Sequence, residues 1–169
     1  PGEEHVMKVR TDDGKTVKTV NLTSNIDFWT RSPEQSAEIE APVVFTGYGF
    51  KNQKLRIDDF IKQDLIGKFI LRISGAPGFA KAQLSTSELS NISREAESIA
   101  RKMGAVGIIE FDPNTTIAGT RPGNEFLNMS PSENNPAYGH LWADYSLPDK
   151  AGPDNFIRIL VSVKTANEI

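Results

Sequence analysis

A strand, a helix and a second strand are predicted in immediate succession between residues 69 and 111. The two strands are the short apolar runs at 69–74 (FILRIS) and 106–111 (VGIIEF). Between them, a helix begins at a capping box formed by Ser85 and Glu88 and ends before Gly104. Because two strands joined by one crossover helix lie parallel in a sheet, we expect the helix to cover one face of that sheet.

The predicted helix has one apolar face and one polar face. Its apolar residues recur at steps of three and four and are Leu89, Ile92, Ala96, Ile99, Ala100 and Met103. We expect Ile99 and Met103 to be buried on the side that faces the sheet. Glu97 and Arg101 lie four residues apart and are expected on the polar side.

The first forty residues predict a hairpin followed by a loop. Residues 6–20 alternate weakly between apolar and polar types and are interrupted by an Asp-Asp-Gly turn at 12–14, which is typical of two short antiparallel strands. Residues 24–36 are polar around the pair Phe28 and Trp29. We expect this segment to be a loop that the two aromatic side chains pin to the core.

Further strands are predicted on either side of the strand–helix–strand unit. Residues 42–49 form a β-branched and aromatic run closed by two glycines, which indicates a buried strand ending where the backbone needs positive φ or a close approach. Residues 156–163 indicate a closing strand. The sequence therefore predicts a β-rich chain of the α+β class.

Residues 112–154 differ from the rest of the chain, because six of its ten prolines fall there. A connection of this length inside a compact domain is more often functional or mobile than neutral. We predict one domain over the 169 residues. Its parts are N-terminal strands and a loop at 1–40, a core at 41–111, a proline-rich loop at 112–154 and a closing strand at 155–169.

Composition excludes several classes of site and partner. The chain has no cysteine and two histidines, so disulfide frameworks, thiolate nucleophiles and multi-histidine metal centres are excluded. Its 19 basic and 22 acidic residues are interspersed and give a net charge of −3, which does not favour nucleic acid. No apolar run reaches the length of about 20 residues that a membrane span needs. The chain begins Pro1-Gly2 without a signal segment, and we expect it to be a piece of a longer protein.

Catalytic constellations are weak. His140 and Asp144 could form a hydrolytic or metal site, but no nucleophile-elbow motif accompanies them, and two ligands are too few for catalytic zinc. Asp58 and Asp59 resemble a carboxylate pair, yet adjacent aspartates more often order a turn or cap a short helix. The glycine turns at 47–49 and 75–78 match no phosphate-binding spacing. The inventory favours a domain that holds or covers something over one that reacts with it.

Four motifs occur in order across the predicted core at 41–111. They are APVVFTGYG at 41–49, IDDF at 57–60, DLIGKFIL at 64–71 and AESIARKMGAVGII at 96–109. Together they resemble the protease-associated domain, in the version inserted into secreted zinc aminopeptidases related to glutamate carboxypeptidase and the transferrin receptor. The final TANEI at 165–169 resembles the T-x-N-V-I stretch that opens the catalytic part of that family, with Glu168 in place of valine.

The resemblance implies a swivelling β/β/α-type fold of two packed β-layers with helices on one side. It also implies a non-catalytic role as a lid or interaction module of an exported metallopeptidase, extracellular or periplasmic. The implied partners are the catalytic domain of the parent peptidase and its peptide substrate. No cofactor is expected in this domain, and zinc is expected in the parent's catalytic domain. Two alternatives remain open: a self-sufficient hydrolase around His140 and Asp144, and a free-standing peptide- or sugar-binding protein.

Two loops are the candidate contact surfaces, because loops on a rigid scaffold commonly carry binding residues. The first contains Gly75, Pro77, Gly78 and Phe79, and the second contains Arg121 and Phe126. An exposed phenylalanine, beside an arginine in the second loop, is a typical interface anchor. The alternative is that Phe79 and Phe126 are buried in a satellite core and have a structural role.

Overall fold

The computed structural model describes residues 6–12, 17–23, 27–30, 38–113 and 156–169. The strands of this part of the chain are β1 Met7–Asp12, β2 Val17–Leu22, β3 Phe28–Thr30, β4 Val43–Phe45, β5 Lys51–Asn52, β6 Ile57–Asp58, β7 Phe69–Ile73, β8 Gly107–Phe111 and β9 Ile157–Val161. Its helices are α1 Gly78–Lys81, α2 Thr86–Lys102 and α3 Val163–Ala166. Parallel and antiparallel strands occur together with helices, so the chain has an α+β fold.

The chain divides into two compact units. The first contains residues 1–36, 111–155 and 159–169, and the second contains residues 37–110 and 156–158. Strand β9 begins in the second unit and continues in the first.

The first unit contains the predicted hairpin. Strands β1 and β2 pair antiparallel from Met7 opposite Leu22 to Asp12 opposite Val17. The loop predicted at 24–36 is wrong for residues 28–30, which form β3 and pair antiparallel with β9. Phe28 is buried at 2% exposure, as expected for an aromatic anchor. Its backbone is a strand because a distant segment, β9, supplies its hydrogen-bond partners.

The second unit contains the predicted crossover. Its strands follow the order β9-β8-β7-β4, and β4 and β7 are parallel. The N–H of Gly67 donates to the carbonyl of Gly104 and the N–H of Val106 donates to the carbonyl of Lys68, both at 2.9 Å. Because these bonds advance along both segments together, β7 and β8 run in the same direction.

Helix α2 covers one face of this sheet. Ser85 and Glu88 form the predicted capping box, and Gly104 follows the helix with φ of 85°. The core between helix and sheet is built from Phe60, Leu65, Ile70, Ala96, Ala100, Ala105, Ile108 and Phe156. Ile99 and Met103 pack against this core, as predicted. They are only partly buried, so the prediction that they are buried is wrong. The smaller Ala96 and Ala100 occupy the centre and bring the helix backbone close to the sheet.

Strand β4 is an edge strand of the second unit. Val44 packs on the core under α2, whereas Val43 and Phe45 are 39% and 55% exposed. The prediction of a fully buried strand is therefore wrong, because alternate residues of an edge strand face opposite sides of the sheet. The two glycines that end the run have positive φ as predicted, 56° at Gly47 and 61° at Gly49.

A second apolar cluster lies under two elements that the sequence reasoning did not identify. These elements are the short antiparallel hairpin of β5 and β6 and the one-turn helix α1. The cluster consists of buried Phe50, Ala76, Ala80, Leu84 and Ile92, with Tyr48, Leu55, Ile57 and Leu89 packed against it. It fixes the hairpin and α1 to the start of α2.

The charged face of α2 is half-buried and contacts the start of β9. Arg158 donates to both carboxylate oxygens of Glu97, at 2.7 and 3.0 Å, and Arg101 donates to Oε1 at 2.8 and 2.9 Å. The guanidinium of Arg101 stacks 4.1 Å from the ring centroid of Phe156. Glu97 and Arg101 thus form the predicted pair within a larger cluster that also involves β9.

This cluster predicts a loss of stability in acid. Burial would raise the pKa of Glu97, but the hydrogen bonds from Arg158 and Arg101 outweigh it and hold the pKa below its usual value of 4.5. A carboxyl group with a lowered pKa stabilises the fold above its unfolded pKa, and this contribution is lost as the pH falls through 4.5 and below. We therefore expect Glu97→Gln to lower the free energy of unfolding at pH 7 by roughly 1 kcal/mol and by less at pH 3. Urea unfolding at both pH values measures this.

The matched control is Glu95→Gln on the same helix, because Glu95 is exposed. It should leave the pH dependence of unfolding unchanged. An equal effect of Glu97→Gln at both pH values would contradict a charge-dependent role for this carboxylate.

Candidate functional site

The carboxyl ends of three strands meet at one edge of the sheet in the second unit, because β4, β7 and β8 run in the same direction. The N–H of Ile73 at the end of β7 donates to the carbonyl of Gly47 after β4, at 2.7 Å. The side chain of Ser74 donates to Glu110 at the end of β8, at 2.9 Å. In open α/β sheets, ligands bind outside this edge of the strands. The turns that follow β4 and β7 are therefore the candidate functional site.

The turn after β4 is held by a carboxylate. Asp59 Oδ2 accepts from the backbone N–H of Tyr48 at 3.1 Å and of Phe50 at 2.9 Å. There is little room for a side chain at Gly49, because an added Cβ would lie 3.3 Å from Ala96 Cβ and 3.3 Å from Arg72 Cδ. The turn is therefore fixed from two sides.

Asp58 and Asp59 both have the structural role predicted for them. Asp58 accepts from the N–H of Phe60 at 3.0 Å and forms an ion pair with Lys51 at 2.7 Å. The hydrogen bond from Lys51 is the largest contribution that holds the pKa of Asp58 below its usual value. Each of the two carboxylates accepts hydrogen bonds from backbone N–H groups of the turns around it.

The turn after β7 leads into α1. Gly75 has φ of 90° and is exposed, and Pro77 is the N-cap residue directly before α1. Ala76 and Ala80 are buried at 6% and 0% exposure, so small apolar side chains fix the turn and the helix from below. Phe79 lies between them in sequence and is 55% exposed.

The four candidate contact residues of the first loop are thus brought together. Gly75 and Gly78 are exposed, Pro77 is partly buried, and Phe79 presents most of its ring to solvent. The alternative of a satellite core is wrong for Phe79. A phenylalanine on an anchored turn offers a contact that costs little conformational entropy on binding.

An ion pair lies beneath this edge. Arg72 is buried at 5% exposure, and its Nε donates to Glu110 Oε2 at 2.8 Å. Its other nitrogens donate to the carbonyl and to the hydroxyl of Ser93 on α2, each at 3.1 Å. With Ser74 on the second carboxylate oxygen, the network joins β7, β8 and α2. Both charges have structural partners, so this pair positions the edge of the sheet.

The other sequence candidates lie outside the described residues. These are Arg121 and Phe126 of the second loop and His140 and Asp144 of the hydrolase alternative. Among the residues that the structure describes, no three His, Cys, Asp or Glu side chains are grouped so that they could hold a metal ion. In the same part of the chain, no helix has both the length and the apolar character that crossing a bilayer requires.

Sequence reasoning missed the hairpin of β5 and β6 and helix α1, which carry three exposed cations. Lys54 and Arg56 lie in the hairpin of β5 and β6, and Lys81 ends α1. The available signal was the mostly polar run NQKLR at 52–56, which contains the end of β5 and the turn that leads to β6. Two-residue strands carry too little periodicity to be detected from sequence alone.

The comparisons with known proteins found no match. No family model matches the chain, and neither a curated protein nor a solved structure matches it.

Proposed function

We propose that the chain is a protease-associated domain that acts as a non-catalytic contact module of a larger exported zinc peptidase. The observation that carries this role is the exposed ring of Phe79 on a turn anchored by buried Ala76 and Ala80. The charged groups near this turn hold the protein's own backbone and side chains, as Asp59 and Glu110 do. This arrangement supports binding rather than bond cleavage at this edge.

The local geometry of the four motifs supports the family assignment. In DLIGK, Asp64 pairs with Lys68 at 2.9 Å, and Gly67 has φ of 69°. In the last motif, Gly104 has φ of 85° and Gly107 has no room for a Cβ atom. The glycine turn of the first motif is held by Asp59 of the second. The motif residues therefore have specific backbone roles within one unit.

The proposal assigns the contact to peptide that approaches the parent's catalytic domain. In this role the domain contributes an aromatic anchor for the part of a peptide beyond the bond that is cleaved. In this proposal the zinc ion is bound by the catalytic domain of the parent peptidase. The parent peptidase acts outside the cytoplasm. Short substrates would not reach Phe79, whereas longer peptides would.

The test is peptide-length selectivity in the full-length polypeptide that carries this chain. We expect Phe79→Ala to raise KM for long peptides about three- to tenfold, the effect of truncating one moderate interface anchor. The KM for an aminoacyl-nitroanilide should be unchanged. The control is Phe45→Ala, which truncates the same residue type at the same 55% exposure, but on the edge strand β4.

Three results would contradict the proposal. They are a full-length polypeptide with no zinc-dependent peptidase activity, equal effects of Phe79→Ala and Phe45→Ala, and a large loss of melting temperature in Phe79→Ala. The last result would show that the ring has a structural role despite its exposure.

A further inference from the structure

Strand β4 has a free edge among the described residues. It lies at one end of the five-stranded sheet, and its hydrogen-bonded neighbour there is β7. On the side of β7, the carbonyl of Pro42 accepts from the N–H of Phe69 at 2.8 Å, and the N–H of Thr46 donates to the carbonyl of Leu71 at 2.9 Å. The backbone groups of successive residues in a strand point alternately to its two sides. The even-numbered residues of this segment therefore bond to β7, and the odd-numbered residues face away from it.

The outward backbone groups belong to Val43 and Phe45, so their N–H and C=O groups are available to an added strand. The side chains of both residues are also exposed, at 39% and 55%. Val44 packs on the core under α2, so the side chains of Val43 and Phe45 lie on the opposite face of the sheet. There they are in register with buried Phe69 and Leu71. An added strand with apolar side chains would complete this row as well as the hydrogen bonds.

Neither charge nor proline protects the outer side of β4. Natural edge strands commonly carry charged side chains, proline or a bulge that opposes pairing with another chain. Residues 41–50 contain no charged residue. Pro42 does not block the outer side, because its carbonyl bonds to β7 and its missing N–H lies on that same side.

We propose that β4 pairs with β4 of a second copy of this chain, antiparallel and about a two-fold axis at Val44. This arrangement places Val43 of each copy opposite Phe45 of the other, and such opposite residues exchange both of their hydrogen bonds. Their side chains form contacts between a β-branched and an aromatic residue, which stabilise neighbouring strands.

The edge is its own complement, and this favours a second copy over a strand of other chemistry. One segment supplies the outward backbone groups at Val43 and Phe45 and the apolar side chains that would cover the same two residues on the other copy. No like charges oppose one another along it, because residues 41–50 are uncharged.

The interface is small, because β4 has three residues. We expect a weak dimer, with a Kd on the order of 100 μM. This inference goes beyond the proposed function, since it concerns the edge strand and not the turn that carries Phe79. Kinetic assays use enzyme far below this Kd, so the dimer is dissociated there and Phe45→Ala remains a valid control for Phe79→Ala.

The first test is sedimentation velocity of the 169-residue chain over a concentration series that spans the expected Kd. We expect the weight-average sedimentation coefficient to rise with concentration. Phe45→Lys should weaken dimerisation about tenfold or more, because it places a charge against the apolar row of the other copy. The matched control is Phe79→Lys, the same substitution at the same 55% exposure but in α1. It should dimerise as the unchanged chain does.

The second test measures the register of the two strands. The chain has no cysteine, so the variants Val43→Cys and Phe45→Cys each introduce a single thiol. Opposite residues of a hydrogen-bonded pair have Cα atoms about 5.5 Å apart, which a disulfide can span, whereas identical positions lie on a diagonal of about 7–8 Å. After one variant is isotope-labelled, mixed with the other and oxidised, mass spectrometry counts the disulfide dimers. We expect mixed dimers well above the one-half share that random collision gives.

Four results would overturn this inference. They are a sedimentation coefficient that stays constant across the series, equal loss of dimer in Phe45→Lys and Phe79→Lys, and a one-half share of mixed disulfides. The fourth is a monomeric chain that binds a fluorescein-labelled peptide of alternating valine and threonine, with binding abolished by Phe45→Lys, since the edge would then take a peptide strand. None of these results changes the KM test of Phe79→Ala, so this inference and the proposed function fail separately.

Discussion

Glu110→Gln is expected to destabilise the chain by about 3–5 kcal/mol, the usual loss when one partner of a buried ion pair is removed. The side chains of Arg72 and Glu110 are 6% and 13% exposed. A buried carboxylate that loses its partner can become neutral by taking up a proton. A guanidinium cannot do the equivalent, because arginine stays charged at any ordinary pH. The variant therefore leaves a positive charge in the interior beside a neutral amide.

The measurement is urea unfolding, with Arg72→Met and the double variant Arg72→Met/Glu110→Leu as companions. Removal of both charges with retention of volume should recover most of the lost stability, because apolar replacements of buried pairs are often neutral. A loss below about 1 kcal/mol in Glu110→Gln would show that this pair is solvated, contrary to its burial.

Local signals made the core of the second unit predictable. The capping box at Ser85, the spacing of apolar residues in α2 and the left-handed Gly104 all act within a few residues of the chain. Such features are visible in a sequence because their physical cause is local. The strand–helix–strand unit follows from them.

Long-range pairing made other parts unpredictable. Strand β3 has three residues, and its partner β9 begins more than 120 residues later, so nothing near Phe28 identifies it as a strand. Likewise, Arg72 within an apolar strand is explained by Glu110, which is 38 residues away. Val43 and Phe45 are exposed because β4 lies at the edge of the sheet. The apolar run that contains them does not reveal that edge position.

The candidate site was predictable in part. A loop of glycine and proline after a strand indicated an exposed turn, and Phe79 is exposed there. The hairpin of β5 and β6 was missed, because its strands have two residues each and its packing on the apolar cluster that includes Ala80 is a long-range contact.

Among the glycines that the structure describes, Gly107 in β8, in the last of the four motifs, has the least room for a side chain. A Cβ atom added there would lie 2.4 Å from Phe69 Cε1 and 2.6 Å from the carbonyl oxygen of Ile157. The first neighbour belongs to a buried ring and the second to the backbone. Neither can move aside as the end of a flexible side chain could. The glycine is therefore required by the close approach of β9 and the packing of Phe69, and not by its backbone angles.

Gly107→Ala is expected to cost about 3 kcal/mol or more, at the upper end of overpacking effects, because both β7 and β9 must move away from β8. The measurement is thermal and urea unfolding beside Gly78→Ala, which adds the same methyl group in α1 where nothing lies within 4 Å. Gly78→Ala should be neutral or stabilise by about 0.5–1 kcal/mol, because alanine favours helix. Phe69→Leu should recover part of the loss when combined with Gly107→Ala, since it shortens the ring that the methyl group meets. Equal stability of the two glycine variants would mean that β8 is not packed as closely as its neighbours require.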